Sequence, residues 1–279
     1  MGWFEALVLG LVQGLTEFLP ISSSAHVSIV GQFFGGDDPG AAFTAITQLG
    51  TETAVLIYFR KDIARSVRAW CLALVGRLPR SDPDARMGWL VIVGSVPIVV
   101  LGLLLQDSIE STFRNLWLTV AMLAGFALVI GFVDSRARTV RELDSLTWRH
   151  GLLYGLAQCL ALVPGVSRSG GTIAAGLAMG YTREAAARYS FLLAIPAVLG
   201  SGAYQLTKIA DDPVQPAWGP IALATLVAFG VGYAVIAWLL RYISTHDFRP
   251  FVVYRLALAA VVAVLLLTGV LEAVPTAAG

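Results

Sequence analysis

Six stretches of this chain, residues 41–59, 87–105, 116–133, 186–207, 218–240 and 251–271, are apolar runs about as long as a lipid bilayer is thick. Crossing the hydrocarbon takes about 20 helical residues. Within hydrocarbon an isolated span satisfies its N–H and C=O groups only by bonding to itself, so each run is predicted to be a transmembrane helix. The charge content agrees: 13% of the residues are charged and 57% are apolar, whereas a soluble domain carries about 25% charge to cover its surface. A net charge of +1 argues against nucleic acid as a partner. Cys71, in a basic connection, and Cys159, in an apolar stretch, make neither a disulfide framework nor a metal-binding spacing and read as ordinary thiols. The first twenty residues are as hydrophobic as a leader peptide. Without a basic start, and with Glu5, Gln13 and Glu17, they are expected to belong to the mature chain.

The basic residues set an orientation. Seven Lys and Arg lie between Arg60 and Arg86 and four between Arg136 and Arg149, and Arg183, Arg188, Arg241 and Arg249 fall in two further connections. These belong on the cytoplasmic face. The connections around Asp37–Asp38, Asp107–Glu110 and Asp211–Asp212 hold only Arg114 and Lys208 and are assigned outside. Threading six spans through this alternation places both termini outside and leaves residues 2–35 and 148–181 without a crossing. A segment that starts and finishes on one face is a re-entrant hairpin of two half-helices, tolerated where the broken backbone is buried in protein or lines a polar cavity.

The two hairpins resemble each other. The run Gly10-Leu-Val-Gln-Gly14-Leu-Thr-Glu-Phe-Leu-Pro20-Ile-Ser22-Ser-Ser24 matches Gly151-Leu-Leu-Tyr-Gly155-Leu-Ala-Gln-Cys-Leu-Ala-Leu-Val-Pro164-Gly-Val-Ser167-Arg-Ser169, with three extra residues before the second proline. Three spans follow each copy, and an odd number inserts the second copy upside down. The expected fold is therefore an all-α polytopic membrane protein of six transmembrane helices and two re-entrant helical hairpins in an inverted-topology repeat. It forms one membrane domain over 1–279, with a first repeat at 1–135 and a second at 148–273. Binding sites in such arrangements sit near the midplane, at the repeat interface.

The breaks carry the polar chemistry. Ser22, Ser23 and Ser24 are expected to start a helix after Pro20, where serines cap free amides and the positive helix end suits an anion. His26 lies one turn on, and Gln13 and Glu17, four residues apart, point from one helical face toward the same place. The second break reads Pro164-Gly-Val-Ser-Arg-Ser-Gly-Gly-Thr172. Gly165, Gly170 and Gly171 permit close backbone approach, Ser167, Ser169 and Thr172 offer hydroxyls, and Arg168 offers a forked cation for phosphate. Taken singly, each residue has a plain structural reading: caps, a Glu17 reaching the outer interface, a satisfied His26, an Arg168–Glu17 ion pair. Together they point to a site, because ionisable groups inside a membrane are costly and usually functional. Arg255 is expected to snorkel to the cytoplasmic interface. Glu52 is left unassigned between a cavity-facing and a locally paired role.

These segments resemble the undecaprenyl pyrophosphate phosphatases, the bacitracin-resistance proteins, over essentially the whole chain. The resemblance is most specific at Gln13-x-x-x-Glu17 followed by Pro20-Ile-Ser-Ser-Ser-Ala-His26 and at Pro164 to Thr172, with Gln48-Leu49-Gly50 and Phe191 to Pro196 also similar. It implies a metal-dependent phosphatase of the bacterial inner membrane, multi-pass, with a periplasmic active site. Such an enzyme converts undecaprenyl pyrophosphate to undecaprenyl phosphate, the carrier for peptidoglycan precursors. It also implies Glu17, Ser23, His26 and Arg168 as catalytic residues, with Ser22, Ser24, Gly165, Ser167, Ser169 and Thr172 around the substrate. Glu17 and Gln13 would hold Mg2+ or Ca2+. Two departures stand out: Gln13 replaces a glutamate common in the family, and Ser24-Ala25 replaces a usual Thr-Gly. Glutamine still offers a carbonyl oxygen, without the charge. The lipid and the bilayer are the expected partners, and a homodimer is left open. A transporter or flippase of a phosphate-bearing polyprenyl lipid is the competing reading, and a purely structural subunit a third.

Overall fold

The structure, a computed structural model, describes residues 1–34, 40–106, 109, 113, 115–211 and 216–274. Asp37, Asp38, Asp107, Glu110, Arg114 and Asp212, on which the outward assignment partly rests, lie outside the described residues. Within them the chain forms eleven α-helices: α1 (Trp3–Thr16), α2 (Ser23–Gln32), α3 (Gly40–Tyr58), α4 (Arg60–Leu74), α5 (Pro83–Leu104), α6 (Leu116–Arg136), α7 (Trp148–Cys159), α8 (Arg168–Ala178), α9 (Arg183–Asp211), α10 (Trp218–Ile243) and α11 (Arg249–Leu267). The described residues form no strand beyond one isolated bridge between Arg141 and Tyr181.

Local chemistry sets several of the starts. The Asp82 carboxylate accepts from the amides of Asp84 and Ala85 ahead of Pro83, and Thr147 and Asn115 accept from His150 N–H and Trp117 N–H. Such side chains satisfy amides that have no partner within the first helical turn.

Five helices, α5, α6, α9, α10 and α11, are long and apolar enough to cross a membrane. Only 22–39% of the residues in their apolar windows are buried inside the protein. Leu104 on α5, Leu128 on α6, Leu226 on α10 and Leu267 on α11 are among the large apolar side chains left exposed. A soluble monomer does not carry so continuous an apolar surface, and lipid is its cover: this is a multi-pass membrane protein. The sixth predicted span is present as the helix α3, but its composition keeps it out of that set. Thr47, Thr51 and Glu52 all lie on it, and they are buried in protein rather than turned to lipid.

Helices α1 and α7 are too short to cross, and each stops at a break followed by a second short helix, α2 or α8. The three extra residues of the second copy form one turn of 3-10 helix, Leu160–Leu162. Helix α1 packs along α10 and α7 along α5, while α3 lies against α9 and α10, and α6 against α11. Glycines make the first two crossings close. A Cβ on Gly10 would lie 2.6 Å from the Ala224 carbonyl oxygen, and one on Gly155 would strike the backbone of Gly94.

One element departs from the sequence reading. Residues 60–74, expected as a basic connection, form α4. Ile63, Val67, Trp70 and Leu74 recur at helical spacing, so a charge-rich stretch gains an apolar face, as interfacial helices do. Its cationic side is tied down by Arg65, which bonds Asp62 and Asp84, and by Asp62, which also pairs with Arg188 of α9.

Candidate active site

The two breaks are built alike. Ser22 and Ser167, the residues ahead of α2 and α8, hold φ angles of 74° and 73°, a region that side-chain-bearing residues rarely adopt. Each serine hydroxyl pairs with the one two residues on, Ser22 with Ser24 at 3.2 Å and Ser167 with Ser169 at 3.1 Å. Between the members of each pair sit Ser23 and Arg168. The caps differ in one respect. Ser167 Oγ accepts from Gly170 N–H at 3.1 Å, but Ser22 makes no side-chain cap bond, contrary to the expectation that these serines cap.

Glu17 joins the breaks. Its Oε1 accepts from Arg168 Nη2 at 2.6 Å. Its Oε2 accepts from Ser23 Oγ at 2.5 Å and from Gln13 Nε2 at 2.7 Å, one helical turn back on α1. Ser169 Oγ adds a bond to the Leu19 carbonyl at 3.1 Å. The predicted meeting of the two segments at positions 17 and 168 is thus present.

Arg255 does not snorkel. It is fully buried and donates to five backbone carbonyls: Nη1 to Pro20 (3.0 Å) and Val166 (3.2 Å), Nη2 to Gly165 (2.7 Å) and Met122 (3.2 Å), and Nε to Leu123 (3.2 Å). One guanidinium therefore clamps both breaks to α6. The snorkelling reading fails because α11 turns this residue toward the breaks, where the carbonyls of Pro20, Gly165 and Val166, with those of Met122 and Leu123 on α6, solvate it in place of interfacial water.

Above the hub opens a cavity of about 550 Å³. Glu17, Ser22, Ser23, Ser24, Ser167 and Arg168 form its polar end, and Ile98, Val99, Leu103, Leu162 and Val198 form apolar walls toward the C-terminal halves of α5 and α9. Gln13, His26, Gly165, Ser169 and Thr172 stand behind that lining. Thr172 Oγ1 meets Ser190 Oγ at 2.5 Å, and Gly165, at φ 92°, faces the Thr119 backbone so closely that a Cβ would lie 2.5 Å from its carbonyl oxygen.

His26 Nδ1 lies 2.7 Å from the Ser22 carbonyl and Nε2 2.7 Å from the Tyr254 hydroxyl. A carbonyl only accepts, so Nδ1 carries the proton and the Nε2 lone pair of the neutral ring faces the tyrosine. Tyr254 escaped the sequence reading, since nothing local distinguishes it from other tyrosines at helix faces. Glu52 was visible as a charge within a span, and the structure places it, 1% exposed, with Oε2 3.9 Å from Arg168 Nη1.

Two oxygens at the site are free to take a divalent ion. Gln13 Oε1 and Glu52 Oε1 are buried with no hydrogen-bond partner among the described residues. No group of three His, Cys, Asp or Glu side chains able to hold an ion occurs among those residues. An ion here would draw on two carboxylates, an amide oxygen and hydroxyls. That set of hard oxygens suits Mg2+ or Ca2+, which complete their shells with water or substrate phosphate.

Together the fold and the site define a class: a multi-pass helical membrane protein whose paired broken helices form a polar floor beneath an apolar-walled cavity. The chain belongs to the family described as bacitracin resistance protein BacA, whose model matches residues 6–261. An undecaprenyl-diphosphatase of Kineococcus radiotolerans is 65% identical to it over 273 residues, covering 98% of this chain and 97% of the relative. Proteins of the same description from Micrococcus luteus and Pseudarthrobacter chlorophenolicus are 62% and 61% identical, each over 277 residues, 98% of this chain and the full length of the relative.

Proposed function

We propose that this chain is an undecaprenyl-diphosphatase of the bacterial inner membrane. It removes the terminal phosphate of undecaprenyl diphosphate on the periplasmic side, yielding inorganic phosphate and the monophosphate carrier lipid for cell-wall synthesis. The observation that carries the reading is the Glu17 carboxylate held between Ser23 Oγ and Arg168 Nη2 at the polar end of a cavity with apolar walls. A diphosphate on a prenyl tail has the same division of character. The description shared by relatives at 61–65% identity supports the same substrate.

In this reading α3 is the sixth crossing, its polar face turned to the site, and α1–α2 and α7–α8 are re-entrant hairpins of two inverted halves. The packing supports the inversion. Each hairpin lies on the second span of the opposite half, α1 on α10 and α7 on α5, while the first spans pair as α3 with α9 and the third as α6 with α11. Basic residues gather at the starts of α5 and α9, and the cavity lies toward their other ends, which supports a periplasmic site.

Ser23 Oγ attacks the terminal phosphorus while its proton passes to Glu17 Oε2, which already accepts its hydrogen bond. The bond from phosphorus to the bridging oxygen breaks, and undecaprenyl phosphate leaves. Water then displaces phosphate from Ser23, which recovers its proton. Arg168 offers Nη1, which has no hydrogen-bond partner among the described residues, to a phosphate oxygen. Ser22, Ser24 and Ser167 surround the phosphates, while Gly165, Ser169 and Thr172 shape the break behind them. His26 orients the Ser22 carbonyl and offers Nε2 for proton transfer. Gln13, Glu17 and Glu52 would hold a divalent ion, which supplies charge neutralisation on the phosphate oxygens.

The test is phosphate release from undecaprenyl diphosphate by purified protein in detergent. Loss of release in Ser23→Ala and Arg168→Ala supports the scheme, and a well-folded wild type that releases none refutes it. The paired broken helices also match transporters. Lipid movement between leaflets by Ser23→Ala without hydrolysis would favour a carrier.

A further inference from the structure

Glu52 is a buried carboxylate whose share in holding the ion, against that of Gln13 and Glu17, the geometry ranks. It lies at 1% exposure on α3, with Oε1 unpartnered among the described residues and Oε2 3.9 Å from Arg168 Nη1, beyond hydrogen-bonding reach. Arg168 Nη1 also has no hydrogen-bond partner among the described residues. A structural ion pair closes to a hydrogen bond, as Arg168 Nη2 does on Glu17 at 2.6 Å. A carboxyl group left without a partner in a protein interior is costly, whether it keeps its charge or takes up a proton, so a structural role alone does not account for its placement.

The neighbouring oxygens are unequal. Both Glu17 oxygens already accept hydrogen bonds, Oε1 from Arg168 and Oε2 from Ser23 and Gln13. Gln13 offers a free oxygen, Oε1, but no charge. Glu52 alone among these three side chains combines a carboxyl group, able to meet a cation as an anion, with an oxygen that accepts nothing among the described residues.

We infer that Glu52 is the principal anionic ligand of the divalent ion, with Gln13 Oε1 as its neutral companion, so that α3 supplies the charge that the amide at position 13 lacks. The inference rests on the phosphatase reading for the ion's purpose, but its test does not depend on activity. A single carboxylate moved between positions 13 and 52 serves the same ion.

The experiment titrates Mn2+, a spectroscopic stand-in for Mg2+, into purified protein without substrate and follows the free ion by electron paramagnetic resonance. Glu52→Gln is expected to weaken binding roughly tenfold or more, given the dependence of affinity on ligand charge, and Gln13→Glu/Glu52→Gln to recover most of it. Glu52→Asp, which keeps the charge, reads out independently if the glutamine variant fails to fold, and is expected to shift the affinity. Unchanged Mn2+ affinity in Glu52→Gln or Glu52→Asp, or no recovery in the double variant, overturns the assignment. Phosphate release is measured on the same samples. A wild type that binds Mn2+ through Glu52 yet releases no phosphate defeats the phosphatase reading and leaves the ion site standing.

Discussion

Replacing Arg255 by lysine keeps a positive charge at the junction of the two breaks and removes the fork that reaches three segments. The guanidinium serves five carbonyls through Nε, Nη1 and Nη2. An ammonium has three donors on one atom and cannot reach all five; Met122 and Leu123 lie within α6 and keep their helical amides, whereas Pro20, Gly165 and Val166 sit in the breaks. At about 1–3 kcal/mol for each break carbonyl left unpaired, the loss of one or two of them gives an expected destabilisation of about 1–6 kcal/mol. The loss falls on Pro20, Gly165 and Val166, which set the positions of Ser23 and Arg168, and misplacement by about 1 Å costs up to about 100-fold in rate. The measurement pairs thermal unfolding of the purified protein in detergent with kcat on undecaprenyl diphosphate, and both are expected to fall. An Arg255→Lys protein that unfolds at the wild-type temperature and turns over within twofold of it would refute the clamp.

Other perturbations separate the remaining contacts. Arg168→Lys keeps the charge but not the fork that spans Glu17 and the phosphate; kcat/KM should drop roughly 100-fold, with KM carrying part of the loss, and near-wild-type kinetics would remove the clamp from the scheme. Tyr254→Phe deletes the hydroxyl facing His26 Nε2; one hydrogen bond is worth about 0.5–1.5 kcal/mol, so the unfolding temperature should move little while the pH–rate profile shifts, and an unchanged profile would exclude His26 from proton transfer. Gly155→Ala forces a methyl against the Gly94 backbone and should cost about 1–3 kcal/mol. Gly125→Ala, with nothing within 4 Å, is its control, and equal melting of the two would show that α7 and α5 are not in tight register.

The fold was legible where one physical rule dominates. Apolar run length fixed the spans to within a few residues, as with 218–240 against α10 and 251–271 against α11, because lipid reads length and hydropathy directly. It failed at α4, where counting arginines hid the apolar stripe through Ile63, Val67, Trp70 and Leu74. The Glu17–Arg168 meeting was legible because a carboxylate and a guanidinium within a bilayer must find partners, and each was the obvious one for the other. Glu52 was visible as a charge but not as a member of the site, since which face of α3 turns inward depends on packing against α9 and α10.

Arg255 was misread for a deeper reason. Its partners are backbone carbonyls, which every residue possesses and no letter of the sequence marks. A broken helix presents two opposite ends at the break: free carbonyls where the first half stops, carrying negative character, and free amides where the second half starts, carrying positive character. An anion needs the second without the first. Arg255 takes up the carbonyls of Pro20, Gly165 and Val166, while the start of α2, with no side-chain cap from Ser22, stays open beneath the cavity. The buried arginine without a carboxylate thus has a counter-charge after all, spread over carbonyls of the two linkers that interrupt the helices. Occupying those linker carbonyls takes their negative character out of opposition to the positive ends of α2 and α8, where the proposed reading puts the phosphates.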